Sequence, residues 1–394
     1  MPIEIIKPNS DYNFIGNRRY AFILSGILIL ASVLSVVIHG GLNLGVDFRG
    51  GLLVQVRFQG QAVDPERVRA TLLDAGLNVS SVQDFGNSGG NEYLIQLQNI
   101  EGSGDESLVV NVNQALLKGF GEGGYEVRRQ EMVGPKVGAD LRQKALYAIY
   151  YAILMIIIYI TGRFQQRWFQ AIIFAGVLLG VVNLVGLFGV GVGALIITAI
   201  AVTVVFLYFM RFSFALGGII ALLHDVVITT GIFSIMGKEI TLSFVAAVLT
   251  IIGYSLNDSI IVFDRIRENL RRTRKLDFPF LINKSVNETL SRTILTSGTT
   301  VLALLSLYFL GGPVNRDFAL AITIGIVVGT YSSIFIASPL LLLWEKGSTK
   351  AAEESAEKSL LAKTGGEAEK GQGGKPGGKP KGAKGPSGRR KATA

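Results

Sequence analysis

Long apolar runs limit what this sequence can fold into more than any other feature. Eight stretches, at about 20–38, 145–160, 168–190, 194–210, 214–236, 240–263, 293–310 and 318–344, are nearly free of charge. A helix needs ~20 apolar residues to cross a bilayer. In lipid the backbone must satisfy its own hydrogen bonds, so each run is expected to form a helix. The 394 residues are 49% hydrophobic and only 17% charged, too apolar for an ordinary soluble protein. The expected fold class is a polytopic α-helical membrane protein of about eight spans, with 194–210 near the lower length limit.

Residues 40–142 read differently, because their apolar positions alternate or recur every three to four residues. Residues 46–58 are strand-like. Asp64-Pro65-Glu66 supplies a cap, an N1 proline and a first-turn acid for a helix ending near Gly76. Strands follow at 80–85 and 92–97 around a turn at 86–90, then a helix at 105–119 and a strand at 125–132. The order βαββαβ predicts an external α+β ferredoxin-like domain with both helices on one sheet face and the other face free.

Basic residues set the expected orientation. Arg163, Arg167, Arg211 and the basic stretch 265–292 fall on one side of an eight-span chain, which the positive-inside rule makes cytoplasmic. The expected organisation is a cytoplasmic N-terminus (1–18), a first span (19–39), the periplasmic domain (40–142) and a transmembrane domain (143–345). A Gly-, Lys- and Pro-rich stretch (346–394) reads as a disordered basic cytoplasmic tail. Arg18 and Arg19 before the first run resemble a signal peptide, but no small-x-small cleavage pattern follows it, so a retained anchor is expected.

The chain has no cysteine, which removes disulfides and thiolate chemistry. His39 and His224 are far apart and no Walker A motif occurs, so no metal, cofactor or ATPase site of its own is expected. The net charge of +9 lies beside apolar blocks and in the tail, pointing to the lipid bilayer and to no specific nucleic acid.

A charged group within a span costs ~2.5–3.5 kcal/mol, so each one is a functional candidate. His224 and Asp225 lie mid-run in 214–236, and Asn257 and Asp258 lie in 240–263. Arg292 opens the next run, where it is placed to reach Asp258 across the helix pair or to anchor the interface. Asp225 reads either as part of an ion path or as a hydrogen-bonded packing residue. A carboxylate alternating between a salt bridge and a proton suits ion-coupled motion. Oxygen ligands alone leave proton and sodium open.

Five stretches resemble the SecF family of protein-export membrane subunits, within the resistance-nodulation-division superfamily. They are Gly45-Val-Asp-Phe-Arg-Gly-Gly51, Val133-Gly-Pro-Lys-Val-Gly138, Ala221-Leu-Leu-His-Asp-Val226, Ala247 to Asn269 around Asn257-Asp258, and Ser291-Arg-Thr-Ile-Leu-Thr-Ser297. The resemblance implies an accessory, non-enzymatic subunit of the Sec translocase. It would use the proton-motive force with SecD, beside the SecYEG channel and often YajC, to draw exported unfolded polypeptide outward after SecA has driven it with ATP. It places Asp258 and Arg292 on the proton path, and Asp47 and Arg49, with Gly50 and Gly51, at a hinge beneath the external domain. The family pattern has six spans, so an extra hairpin at about 163–211 is expected. An exporter of lipids or small molecules, or a scaffold without coupling, are the other readings.

Overall fold

The computed structural model describes residues 11–60, 63–85, 91–98, 105–165, 168–188, 190–210, 212–272 and 277–342. The expected turn at 86–90, Arg167, Arg211 and the basic tail lie outside these residues.

Helix α1 (Arg18–Ile38) leads into a one-turn helix α2 (Val46–Arg49) and strand β1 (Gly51–Phe58). The single strand expected over 46–58 is thus corrected. Gly50 and Gly51 take φ values of +80° and +146°, which divide the turn from the strand. A Cβ on Gly51 would stand 2.1 Å from the Leu97 carbonyl oxygen, so only glycine lets β1 begin there.

Next come α3 (Pro65–Asp74), β2 (Val79–Asp84), β3 (Glu92–Gln98), α4 (Asp105–Phe120) and β4 (Tyr125–Val133). Asp64 accepts the Glu66 N–H at 3.0 Å and Pro65 fills the first helical turn, as the sequence predicts. The four strands pair antiparallel in the order β2-β3-β1-β4, with Val54 opposite Ile95 on one side and Gln130 on the other. Alternate residues Leu52, Val54 and Val56 pack with Val68 and Leu72 of α3 and Val112 and Leu116 of α4. Burying each such side chain contributes about 1.5–3 kcal/mol. The opposite sheet face is not wholly free, because Leu53, Gln55, Leu94, Gln96, Arg129 and Glu131 share a crevice with Glu239 and Thr241 of the membrane part.

The remaining helices are α5 (Pro135–Gln165), α6 (Trp168–Gly186), α7 (Val192–Phe209), α8 (Ser213–Ile235), α9 (Leu242–Arg272), α10 (Phe278–Leu310) and α11 (Pro313–Ser332). A π-helical turn (Ser333–Ala337) and a short α12 (Ser338–Leu340) follow. Pro339 has no N–H to donate, and the wider turn before it relieves the lost helical bond. Seven of the described helices are long and apolar enough to span a membrane, and Gly193–Phe209 is a shorter apolar helix. At 1.5 Å per residue, α7 is about 27 Å long, close to the ~30 Å of a hydrocarbon core. The expected additional hairpin is α6 and α7, joined by stacked Phe174 and Phe206 with ring centroids 3.8 Å apart.

The basic stretch 265–292, which the apolar runs leave between two spans, is largely helical among its described residues. α9 and α10 run on beyond their apolar stretches, where Arg265 binds Glu288 at 2.6 Å and Asn269 binds Ser285 at 2.9 Å. Close helix approach elsewhere relies on small residues. A Cβ on Gly231 of α8 would fall 2.0 Å from the Ser32 side chain of α1.

Candidate functional site

Helices α8, α9 and α11 meet around a set of buried polar groups, and α1 closes one side. Asp225, fully buried on α8, receives the Ser255 hydroxyl of α9 at 2.5 Å and the Ser332 hydroxyl of α11 at 2.8 Å, both on Oδ2. Its Oδ1 lies 2.8 Å from His224 Nδ1, and His224 Nε2 lies 3.0 Å from Ser25 Oγ of α1. Tyr331 of α11 brings its hydroxyl within 3.1 Å of Ser25 Oγ and donates to the Ala21 carbonyl at 2.8 Å. Gly329 admits this cluster: a Cβ there would lie 3.3 Å from Asp225 Oδ2.

Asp258 lies one helical turn from Ser255 and is 1% exposed. Ser297 of α10 donates to its Oδ2 at 3.3 Å, and Thr330 of α11 donates to Ser297 at 2.7 Å. Both carboxylates are therefore held by the same stretch of α11, Asp258 through Thr330 and Asp225 through Ser332. Arg292 makes no ion pair with Asp258 within 4.0 Å and is exposed. The expected salt bridge is absent here. Asn257 is also exposed, one residue round α9 from the buried Asp258, and does not join the buried network.

The base of the sheet domain is joined to the connection between α8 and α9. Gly45 N–H donates to the Ile240 carbonyl at 2.9 Å and Ile240 N–H donates to the Asn43 carbonyl at 2.7 Å. Asp47 Oδ2 accepts the N–H of Leu242, the first residue of α9, at 2.8 Å. Arg49 is exposed at the rim of a crevice with His39, Asn43 and Gly237. Glu239 lies between the two parts, where Ser80 of β2 donates to it at 3.4 Å. Burial pushes the Glu239 carboxyl up from its ordinary value; hydrogen bonds from Gln96 and Ser80 and the charge of Arg49 oppose this, and Asp317 adds to it.

The sequence reading missed Ser25, Thr330, Tyr331 and Ser332. Four successive polar residues, Thr330-Tyr331-Ser332-Ser333, interrupt an otherwise apolar run and were the signal available. Ser25 carries none, since a lone serine in a span is ordinary packing.

Most of the chain is similar to known proteins. The family described as "Protein export membrane protein SecD/SecF, C-terminal" matches residues 112–192 and 186–347, and the "SecD/SecF GG Motif" matches residues 36–62. The protein translocase subunit SecF of Magnetococcus marinus is 40% identical over 360 residues, 91% of this chain and 100% of the relative. SecF of Calditerrivibrio nitroreducens is 38% identical over 86% of this chain and 96% of the relative. Among solved structures, SecDF from Thermus thermophilus, described as a translocon-associated membrane protein, aligns with a TM-score of 0.62 and 31% identity. That alignment covers 86% of this chain and 39% of the SecDF chain, so the chain spans well under half of that protein.

Proposed function

Because the chain belongs to the SecF family of protein-export membrane proteins, we propose that it is an accessory subunit of the Sec translocase in which Asp258 and its hydroxyl partners couple an ion gradient to export. The observation that carries this reading is a carboxylate, buried among spans, with a hydroxyl donor and, among the described residues, no ion pair within 4.0 Å. Such a group is costly when charged, so gaining and losing a proton can bias the packing of α9, α10 and α11. Asp225 and His224 extend the same polar layer.

SecD is the expected partner, and α10 supports a protein neighbour on one face. Only 11% of its apolar stretch is buried within the chain, against 61% for α8. Arg292 and Asn257 stand exposed along the spans, where polar groups are costly in lipid and useful against another helix. The location is taken as the bacterial inner membrane, with the sheet-bearing segment as an external ferredoxin-like domain and Asp47 and Arg49 at its coupling base. Arg163 bonds Asp264 at 2.8 Å, so it shares one end of the bundle with the basic end of α9, and Asn283 of α10 holds the Phe14 N–H at 2.9 Å at that end. By the positive-inside rule this end is cytoplasmic. SecYEG, YajC and the ATP-driven motor SecA complete the assembly in which the subunit would promote outward movement of unfolded chains without an ATPase site of its own.

The test is Asp258→Asn in cells that depend on this chain. Gradient-stimulated secretion should fall at least about tenfold, in line with loss of a positioned proton-transfer group, while the protein accumulates normally. Full gradient-dependent secretion in this variant would reduce the chain to a scaffold.

A further inference from the structure

The hydrogen-bonded line from Asp225 is longer than ion coupling at Asp258 needs. It runs from Asp225 Oδ1 to His224 Nδ1 (2.8 Å), from His224 Nε2 to Ser25 Oγ (3.0 Å), on to the Tyr331 hydroxyl (3.1 Å) and ends at the Ala21 carbonyl (2.8 Å). Ala21 is three residues into α1, about 4.5 Å along the axis from the end that carries Arg18 and Arg19. The line thus connects a buried carboxylate with the edge of the membrane through groups that each both donate and accept a proton.

We propose that Ser25 and Tyr331, with His224, form a proton relay between Asp225 and the arginine-bearing end of α1. This deepens the gradient-coupled reading and rests on it. In one passage the Asp225 carboxyl proton moves to His224 Nδ1, and the Nε2 proton moves to Ser25 Oγ. The serine proton moves to the Tyr331 oxygen, and the tyrosine's own proton leaves to water at the helix end. The passage leaves Asp225 as a carboxylate, which takes its next proton from water on the opposite side of the membrane; rotation of the hydroxyls and a change of imidazole tautomer then restore the line. Two further hydroxyls, those of Ser255 and Ser332, hold the other carboxylate oxygen and keep Asp225 aimed at the imidazole.

The surroundings suit proton movement. Ser25 and His224 border a crevice of about 410 Å³ whose other walls include Phe22, Ile29, Ile220 and Leu223. An apolar wall gives a hydrated metal cation no oxygen ligands, whereas a proton needs only the hydroxyls and the imidazole. The order Asp225, His224, Ser25 also resembles an acyl-transfer triad. The N–H groups of Ser25 and Gly26 are committed inside α1, however, so no donor pair faces the serine to hold an oxyanion.

The experiment is proton flux into liposomes holding the full chain with SecD, read by an internal pH dye under an imposed gradient. Tyr331→Phe keeps the ring, which stacks on Phe335 at 5.2 Å, and removes only the hydroxyl. It and Ser25→Ala should each lower flux at least about tenfold, as loss of a proton-transfer group does. Ser25→Thr restores a hydroxyl, with the crevice beside it to take the methyl group, and should recover most of the flux. Wild-type flux in Tyr331→Phe, or equal loss in Ser25→Thr and Ser25→Ala, overturns the relay. Asp258→Asn separates the two ideas: if it abolishes flux while the relay variants conduct normally, only the relay fails, and if it too conducts normally, the gradient-coupled reading fails with it.

Discussion

Asp47 and Leu242 join the base of the sheet domain to the start of α9, through a 2.8 Å hydrogen bond from the Leu242 N–H to the Asp47 carboxylate. The carboxylate occupies the positive end of the helix that carries Asp258, so the turn preceding the two glycines is tied to α9 by one side chain. Asp47→Ala should cost about 1 kcal/mol, the usual loss for a capping side chain, and Asp47→Asn less. Faster amide exchange at residues 242–245 in Asp47→Ala would check it; unchanged exchange would show that the contact does not hold the helix.

Glycine at 51 is a second constraint. Any side chain there combines a positive φ with a Cβ inside the Leu97 carbonyl contact, a strain of order 1–3 kcal/mol or more. Gly51→Ala should make residues 40–142 sensitive to protease at temperatures where the parent chain resists. Gly60→Ala, also at positive φ but with open space around it, should have a smaller effect.

Glu239 gives a pH dependence with a defined sign. Its carboxyl is raised above the ordinary 4.5, chiefly by burial. A raised acid binds its proton more tightly in the folded state, so its contribution is fully present below the unfolded value and is lost as pH rises through the folded one. The parent chain's melting temperature should therefore fall with rising pH across that interval more than that of Glu239→Gln. Parallel melting curves of the two proteins, recorded from pH 4 to 8 (on the order of the carboxylate range and above), would contradict this.

The exposed face of α9 and α10 predicts where a partner lies. A photo-crosslinking residue in place of Asn257 should capture SecD in native membranes, while one in place of Ile197, exposed on α7, should capture lipid only. Equal yields at both positions would remove Asn257 and Arg292 from the interface.

Gly231 tests the packing that brings Ser25 to His224. Gly231→Val should push α1 from α8, because even a Cβ meets Ser32 at 2.0 Å; overpacking of this kind typically costs 1–3 kcal/mol. Gly176→Val, on α6 with open space around it, serves as the control, and a loss of stability equal in both would place the constraint elsewhere.

Much of this was legible in the residues themselves. Lipid demands apolar length, so the runs between 145 and 344 located the helices, and the alternation of Leu52, Val54 and Val56 marked a strand with one buried face. The cost of burying charge singles out Asp225 and Asp258 from the sequence alone. Tertiary structure alone decided which way the polar side chains point. Asn257 turned outward, Arg292 stayed unpaired with Asp258, and Ser25 and Tyr331, some three hundred residues apart, met at His224. The physical reason lies in the solvent: lipid and protein interior are equally apolar, so an α7 or α8 whose apolar residues run all round carries no periodic mark of which face its neighbours cover. Only close packing at Gly231, Gly329 and the proline-relieved turn after Ser332 fixes those rotations.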